Sequence, residues 1–120
     1  MSKMTKIEII TRANKLEELK SALNSIGVEG MTVSQVYGCG LQKGHKEVYR
    51  GREYSINLVP KIKLETVVCD VPVDQVLSVS QKVLCTDQVG DGKIFVYTID
   101  NAMRIRTGTQ GTKAITDDEA

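Results

Sequence analysis

A chain of 120 residues with 41% hydrophobic and 26% charged side chains is long enough for one globular domain with its own core. Its formal net charge of +1 supplies no global field for nucleic acid, so any anion-binding surface has to be local. Three cysteines, Cys39, Cys69 and Cys85, with no CxxC pair argue against a disulfide framework or zinc site, and the absence of a signal-like N-terminus or long apolar run predicts a cytoplasmic protein.

Lys6–Thr11 reads as a short first strand, with Ile7 and Ile9 on one face and Glu8 on the other. Asn14 is expected to cap a first helix, with Glu17 three residues on as in a capping box, Leu16, Leu19, Leu23 and Ile26 as its apolar stripe and Gly27 as its end. Met31–Tyr37 is a second strand. Ile62–Cys69 is a third, alternating Ile62, Leu64, Thr66 and Val68 against Lys63 and Glu65. Pro72 suits the first turn of a second helix whose face is Val73, Val76, Leu77, Ser80, Val83 and Leu84, and Ile94–Ile99 is a fourth strand. Residues 104–120 carry too few apolar side chains for core. The order strand, helix, strand, strand, helix, strand predicts an α+β, ferredoxin-like βαββαβ fold: an antiparallel sheet with both helices on one face. The other face, expected to expose Ile7, Val33, Val68 and Phe95, calls for a second copy of the chain to cover it.

Between the second and third strands lies Gly38–Pro60, with four glycines and no sustained apolar period. Loops beyond about 12–15 residues usually serve a function or are disordered, and this one reads as a working loop. The Gly90-Asp91-Gly92-Lys93 turn lets backbone amides and a lysine approach an anion, although GxxxxGK[ST] and GxGxxG patterns are absent. Arg104 and Arg106, at alternate positions after a strand, can fork onto phosphates. The single histidine, His45, has no triad or metal-ligand spacing around it. One Phe and four Tyr, with no cluster on the central strands, argue against RNA recognition.

Three blocks resemble the PII nitrogen-regulatory signalling proteins: GCGLQKGHKEVYRGREY at residues 38–54, VPKIKLETVV at 59–68, and TxxxGDGKIFV followed by RIRTG between 86 and 108. The GCGLQK form is similar to members from Gram-positive bacteria. The resemblance implies one domain over 1–120, with 38–60 as an effector T-loop and 104–120 as a C-terminal tail, assembled as a homotrimer with ATP or ADP between subunits. It implies that Gly90, Asp91, Gly92 and Lys93 cradle phosphates, that Thr32, Gly38, Cys39, Gly40, Leu41, Gln42 and Val67 surround the nucleotide, and that Arg104, Ile105 and Arg106 reach in from a neighbouring subunit. Gln42 is implied as a Mg2+ ligand. Gln42, Lys43, Gly44 and Lys61 are implied to hold 2-oxoglutarate.

A non-enzymatic sensor follows from this resemblance: nucleotide and 2-oxoglutarate set the loop conformation, and the loop docks through Arg50 on an ammonium transporter or a nitrogen-metabolism regulator or enzyme. The protein would then be cytoplasmic, reversibly membrane-associated, and make no direct contact with nucleic acid. Leu41 stands where many members carry an arginine, and Arg52 replaces a small residue next to the modifiable tyrosine position, Tyr54. These departures leave open a PII-like regulator with another metabolite or target. A nucleotide hydrolase in the same cleft would have Asp91 as its one candidate base.

Overall fold

A computed structural model describes residues 3–41, 47–49, 52–54 and 56–116. The chain runs β1 (Met4–Arg12), a 3-10 turn (Ala13–Lys15), α1 (Leu16–Ser25), β2 (Thr32–Leu41), β3 (Glu47–Tyr49), β4 (Arg52–Tyr54), β5 (Ile56–Val68), α2 (Val73–Leu84), β6 (Gly92–Ile99) and α3 (Lys113–Thr116). Four strands form one antiparallel sheet in the order β2-β5-β1-β6, and β3 pairs with β4 as a separate ribbon. This is the expected ferredoxin-like arrangement, with the ribbon inserted between the second and third sheet strands.

The two-residue period of β1 and β5 sorts their side chains cleanly. Ile7, Ile9, Ile62, Leu64 and Val68 are buried against Leu19 and Leu23 of α1 and Val76 and Leu84 of α2. The helical spacing puts Leu19 and Leu23 under α1, with Leu16 and Ile26 packed at its margins. α1 ends as predicted at Gly27, whose φ of +99° only glycine adopts freely. The amides of Gly27 and Val28 donate to the carbonyls of Asn24 and Leu23, a Schellman closure that also seats Val28 in the core.

Four expectations are corrected. Asn14 lies inside the 3-10 turn, and α1 starts one residue past Lys15 with no side-chain cap, so no capping box forms. Pro72 precedes α2 as its N-cap residue instead of occupying the first turn. The strands are longer than their apolar patterns: β2 and β5 pair on through Gly38↔Val59, Cys39↔Leu58, Gly40↔Asn57 and Leu41↔Ile56. Both ends of the Gly38–Pro60 stretch are therefore strand, because ladder hydrogen bonds persist after the strands leave the core and no longer need an apolar face. The fourth correction concerns the uncovered sheet face. Ile7 and Val68 are on the helix side and buried, and Val33 shares the helix-side face of its partner Leu64 at the sheet edge. Of the four, only Phe95 is on the open face, opposite Glu8.

The open face is instead rich in charge. Glu8 and Glu65 are directly opposed across β1 and β5, and Lys6 resolves the repulsion by pairing with Glu65 at 2.7 Å and Glu8 at 3.8 Å. The Glu65 bond raises the Lys6 pKa and the same bond lowers that of Glu65, so the two partners agree. The Lys6 ammonium also stands 5.1 Å from the centre of the Tyr97 ring.

Asp87 has a φ of 61°, the one described non-glycine residue in the left-handed region. That conformation strains an L side chain, less for Asp than for most. Asp87→Gly is therefore expected to stabilise the fold by about 0.5–1 kcal/mol, raising the melting midpoint by roughly 2–4 °C at fixed protein concentration. A lowered midpoint in a thermal melt contradicts this.

Candidate functional site

β1 ends, β5 passes and β6 begins at the same corner of the sheet. Register places Arg12 opposite Lys61, two cations side by side on the open face. Both reach the connection that follows α2. Arg12 Nη1 pairs with Asp91 Oδ1, and Nη2 donates to the Val89 carbonyl at 2.9 Å. Lys61 Nζ donates to the Gly90 carbonyl, and the Thr11 hydroxyl donates to the Asp91 carbonyl at 2.7 Å. Thr86 closes the connection on itself: its amide donates to Asp91 Oδ2 at 2.7 Å and its hydroxyl to Asp91 Oδ1. Residues 86–91 are thus a loop crosslinked by one carboxylate and pinned to β1 and β5 by three side chains.

Those donors settle the chemistry of Asp91. The Thr86 hydroxyl first, then the Thr86 amide, and the Arg12 guanidinium hold its carboxyl well below the usual carboxylate range against a smaller opposing effect of desolvation. It is ionised at neutral pH with its lone pairs occupied, and so is poorly suited to take a proton from water. A folded pKa depressed below the unfolded value adds stability that is complete above the ordinary carboxylate pKa and disappears as pH falls through the folded value. The difference in melting midpoint between the parent and Asp91→Asn is expected to stay constant from about pH 8 to 5 and to narrow below about pH 4. A difference undiminished at pH 3 contradicts that assignment.

Where Gly92 begins β6, its φ is +115°, and a Cβ there would lie 1.9 Å from the Ile10 carbonyl oxygen. The glycine lets the loop enter the sheet flush against β1. Lys93 follows, opposite Ile10 on the open face. Gly38 stands over the stem of Lys61, where a Cβ would be 3.5 Å from Cγ. Gly38, Lys61, Gly90 and Lys93 are therefore gathered at one end of the open face. At the other end Thr32 and Val67 line a cleft of about 270 Å3 with Lys6, Gly30, Glu65 and Thr66. Gly38 is six positions along β2 from Thr32, about 20 Å at a strand's rise per residue.

Other expected residues lie elsewhere. Cys39 is exposed on β2 and has the opposite parity to Gly38. Gly40 and Leu41 end β2, and Tyr54 ends β4 opposite Glu47. Arg104 and Arg106 do not follow a strand directly: β6 stops at Ile99, and both belong to a turn closed by bonds between Arg104, Gly108 and Thr109. Arg104 Nη2 donates back to the tail, to the carbonyls of Lys113 at 3.1 Å and Ala114 at 3.3 Å. Ile105 and Arg106 are exposed. Gln42, Lys43, Gly44 and Arg50 lie outside the described residues, so the metal and 2-oxoglutarate expectations on them stay expectations. No cluster of three or more His, Cys, Asp or Glu fit for a metal occurs among the described residues.

Arg12, Thr11 and Thr86 are site residues that sequence reasoning missed. A signal existed for Thr86: a Thr and an Asp five residues apart around a turn can close on each other. Arg12 had none, because its role depends on β1 and β5 being neighbours.

A family model for the nitrogen regulatory protein P-II matches residues 4–109. The nitrogen regulatory PII-like protein of Bacillus subtilis is 51% identical over 112 residues, 93% of this chain and 97% of that protein. The nitrogen regulatory protein P-II of Rhodospirillum rubrum is 49% identical over 112 residues, 93% of this chain and 100% of its own length. The solved structure of B. subtilis GlnK matches at a TM-score of 0.81 and 51% identity, covering 94% of this chain and 99% of that one. The B. subtilis GlnK–ATP complex matches at 0.81 and 47% identity, covering 95% and 98%. With the sheet order, the pinned GDGK loop and the matched residues in agreement, this chain belongs to the nitrogen regulatory protein P-II family.

Proposed function

We propose that this chain is a non-enzymatic nitrogen-status sensor that binds ATP or ADP on the open face of its sheet and transmits the result through the 38–60 arm. The carrying observation is the crosslinked 86–91 loop, held by Arg12 and Lys61 next to Gly38 and Lys93. Backbone glycines and cations converge there, the composition a polyphosphate needs. Thr32 and Val67, at the far end of the same face, border a cleft that would receive the base of a nucleotide whose phosphates lie on a neighbouring copy. The similarity to a GlnK solved with ATP supports the same ligand class. Mg2+ would be held by the phosphates and Gln42, and 2-oxoglutarate by that ion, by Gln42, Lys43 and Gly44, and by Lys61.

Assembly into a homotrimer would complete the site, because Arg104 Nη2 is bonded to its own tail, and Arg104 and Arg106 would serve a neighbour's phosphates. Exposed Phe95, Val96, Tyr97, Val89, Met103 and Ile105 supply apolar area for that contact at roughly 25 cal/mol per Å2 buried. No described helix is long and apolar enough to cross a membrane, and membrane association would come through an ammonium transporter bound by Arg50. A nitrogen-metabolism regulator or enzyme is the other class of target.

Calorimetric titration with ATP, ADP and 2-oxoglutarate, each with and without Mg2+, tests the reading. Nucleotide should bind alone, and 2-oxoglutarate only with Mg-ATP, because the neutral amide of Gln42 needs the metal to hold a keto acid. Equal 2-oxoglutarate binding without nucleotide, or no nucleotide binding, rejects it.

A further inference from the structure

The family match ends at residue 109, yet the described chain continues through Thr116. It first doubles back. Met103 bridges Gln110, the Arg104 amide donates to the Thr109 carbonyl at 2.8 Å, and the Gly111 amide donates to the Ala102 carbonyl at 3.0 Å. α3 then lies beneath Arg104, whose Nη2 donates to Lys113 and Ala114 carbonyls at 3.1 and 3.3 Å. The last carbonyls of a helix have no intrahelical donor, so the guanidinium completes α3. Ala114, Ile115 and Thr116 also wall a cleft of about 370 Å3, and that cleft shares Gly30, Thr66 and Val67 with the smaller one at Thr32. The tail sits on the rim of the candidate site.

We infer that the segment Gln110–Thr116 is a built-in latch that competes with nucleotide phosphates for Arg104. The inference rests on the nucleotide-binding reading, in which Arg104 serves a neighbouring copy's phosphates. A guanidinium has two edges that can grip an anion with paired hydrogen bonds, and both use Nη2. With Nη2 already donating to two α3 carbonyls, Arg104 cannot give a phosphate that paired grip until it leaves the tail. The exchange favours nucleotide when it is abundant, since a charged acceptor replaces two neutral carbonyls. Only the released fraction is competent, and a latch closed nine-tenths of the time weakens apparent affinity roughly tenfold. Coupling is reciprocal, so ATP loosens α3.

The test is a cycle of four proteins titrated calorimetrically with Mg-ATP: the full chain, a chain ending at Gly111, Arg104→Gln, and the two changes together. α3 contains no buried residue, so the shortened chain keeps its core. Shortening is expected to tighten ATP binding roughly tenfold in the parent and to have no effect in the Arg104→Gln background. In the full chain, ATP should also speed hydrogen exchange at the Ala114, Ile115 and Thr116 amides, which close α3 on Gly111 and Thr112. Equal affinities for full and shortened chains, or the same gain in both backgrounds, overturn the latch and leave the nucleotide reading standing. Absence of ATP binding in every form overturns both.

Discussion

Gly92→Ala is expected to lower stability by about 3 kcal/mol or more, and the melting midpoint by roughly 10 °C, a loss of the size that marks backbone conflict. Two effects add. At φ +115° an L residue is strained whatever surrounds it, and its Cβ would have to occupy a point 1.9 Å from the Ile10 carbonyl oxygen. That oxygen belongs to β1, the strand paired with both β5 and β6, so it cannot yield without disturbing two ladders. Gly90 provides the internal comparison. Its φ of +102° strains an L residue as well, but its Cβ would meet only side-chain ends, 2.9 Å from Arg12 Nη2 and 3.6 Å from Lys61 Nζ, and both can swing away. Gly90→Ala should therefore cost less stability while still loosening the Arg12 grip on Asp91. Equal midpoints for the two variants, or a Gly92→Ala protein within 1 kcal/mol of the parent, would show that the strand entry is softer than this.

The contrast between those glycines shows what the sequence could and could not reveal. A GDG turn before a β-branched run was legible as a turn, period-3.6 spacing identified the core side of α1 and α2, and period-two spacing separated the two faces of β1 and β5 without fixing which one the helices cover. Which glycine touches which strand was not, because that depends on β6 lying against β1. The same limit hid Arg12. Nothing near it in sequence distinguishes it from Lys3 or Lys15, and only the β1–β5 register sets it beside Lys61. Apolar alternation also stops where the core stops, which is why β2 and β5 read short by several residues. The expectation of an apolar open face failed for a related reason: alternation separates the two faces of a strand but does not say which one the helices cover, and Ile7, Val33 and Val68 lie on the helix side. Lys61 both bonds the GDGK loop and lies 3.5 Å from where a Cβ on Gly38 would be.

Lys61 is where the proposed effector should be felt most. Its stem lies under Gly38, and its ammonium is on the Gly90 carbonyl, so it joins the end of β2 to the 86–91 loop. A carboxylate arriving between them offers a charged acceptor in place of a neutral one, and the lysine should change partner. That exchange is a differential contact of the kind that shifts a conformational population, since the arm base and the loop are no longer tied when the ammonium turns away. Lys61→Ala and Lys61→Met are both expected to weaken 2-oxoglutarate binding in the presence of Mg-ATP by roughly ten- to a hundredfold, the loss of one ion-paired hydrogen bond of about 1.5–3 kcal/mol. Met keeps the stem over Gly38, so agreement between the two variants assigns the loss to the charge, whereas a loss confined to Ala assigns it to packing. ATP affinity should fall less than 2-oxoglutarate affinity in either variant, because Arg12 and Thr86 still hold Asp91. Unchanged 2-oxoglutarate affinity in both variants would mean that the acid is held elsewhere or that this chain senses a different metabolite, an outcome that Leu41, in the position where many members carry arginine, makes worth testing with other dicarboxylates.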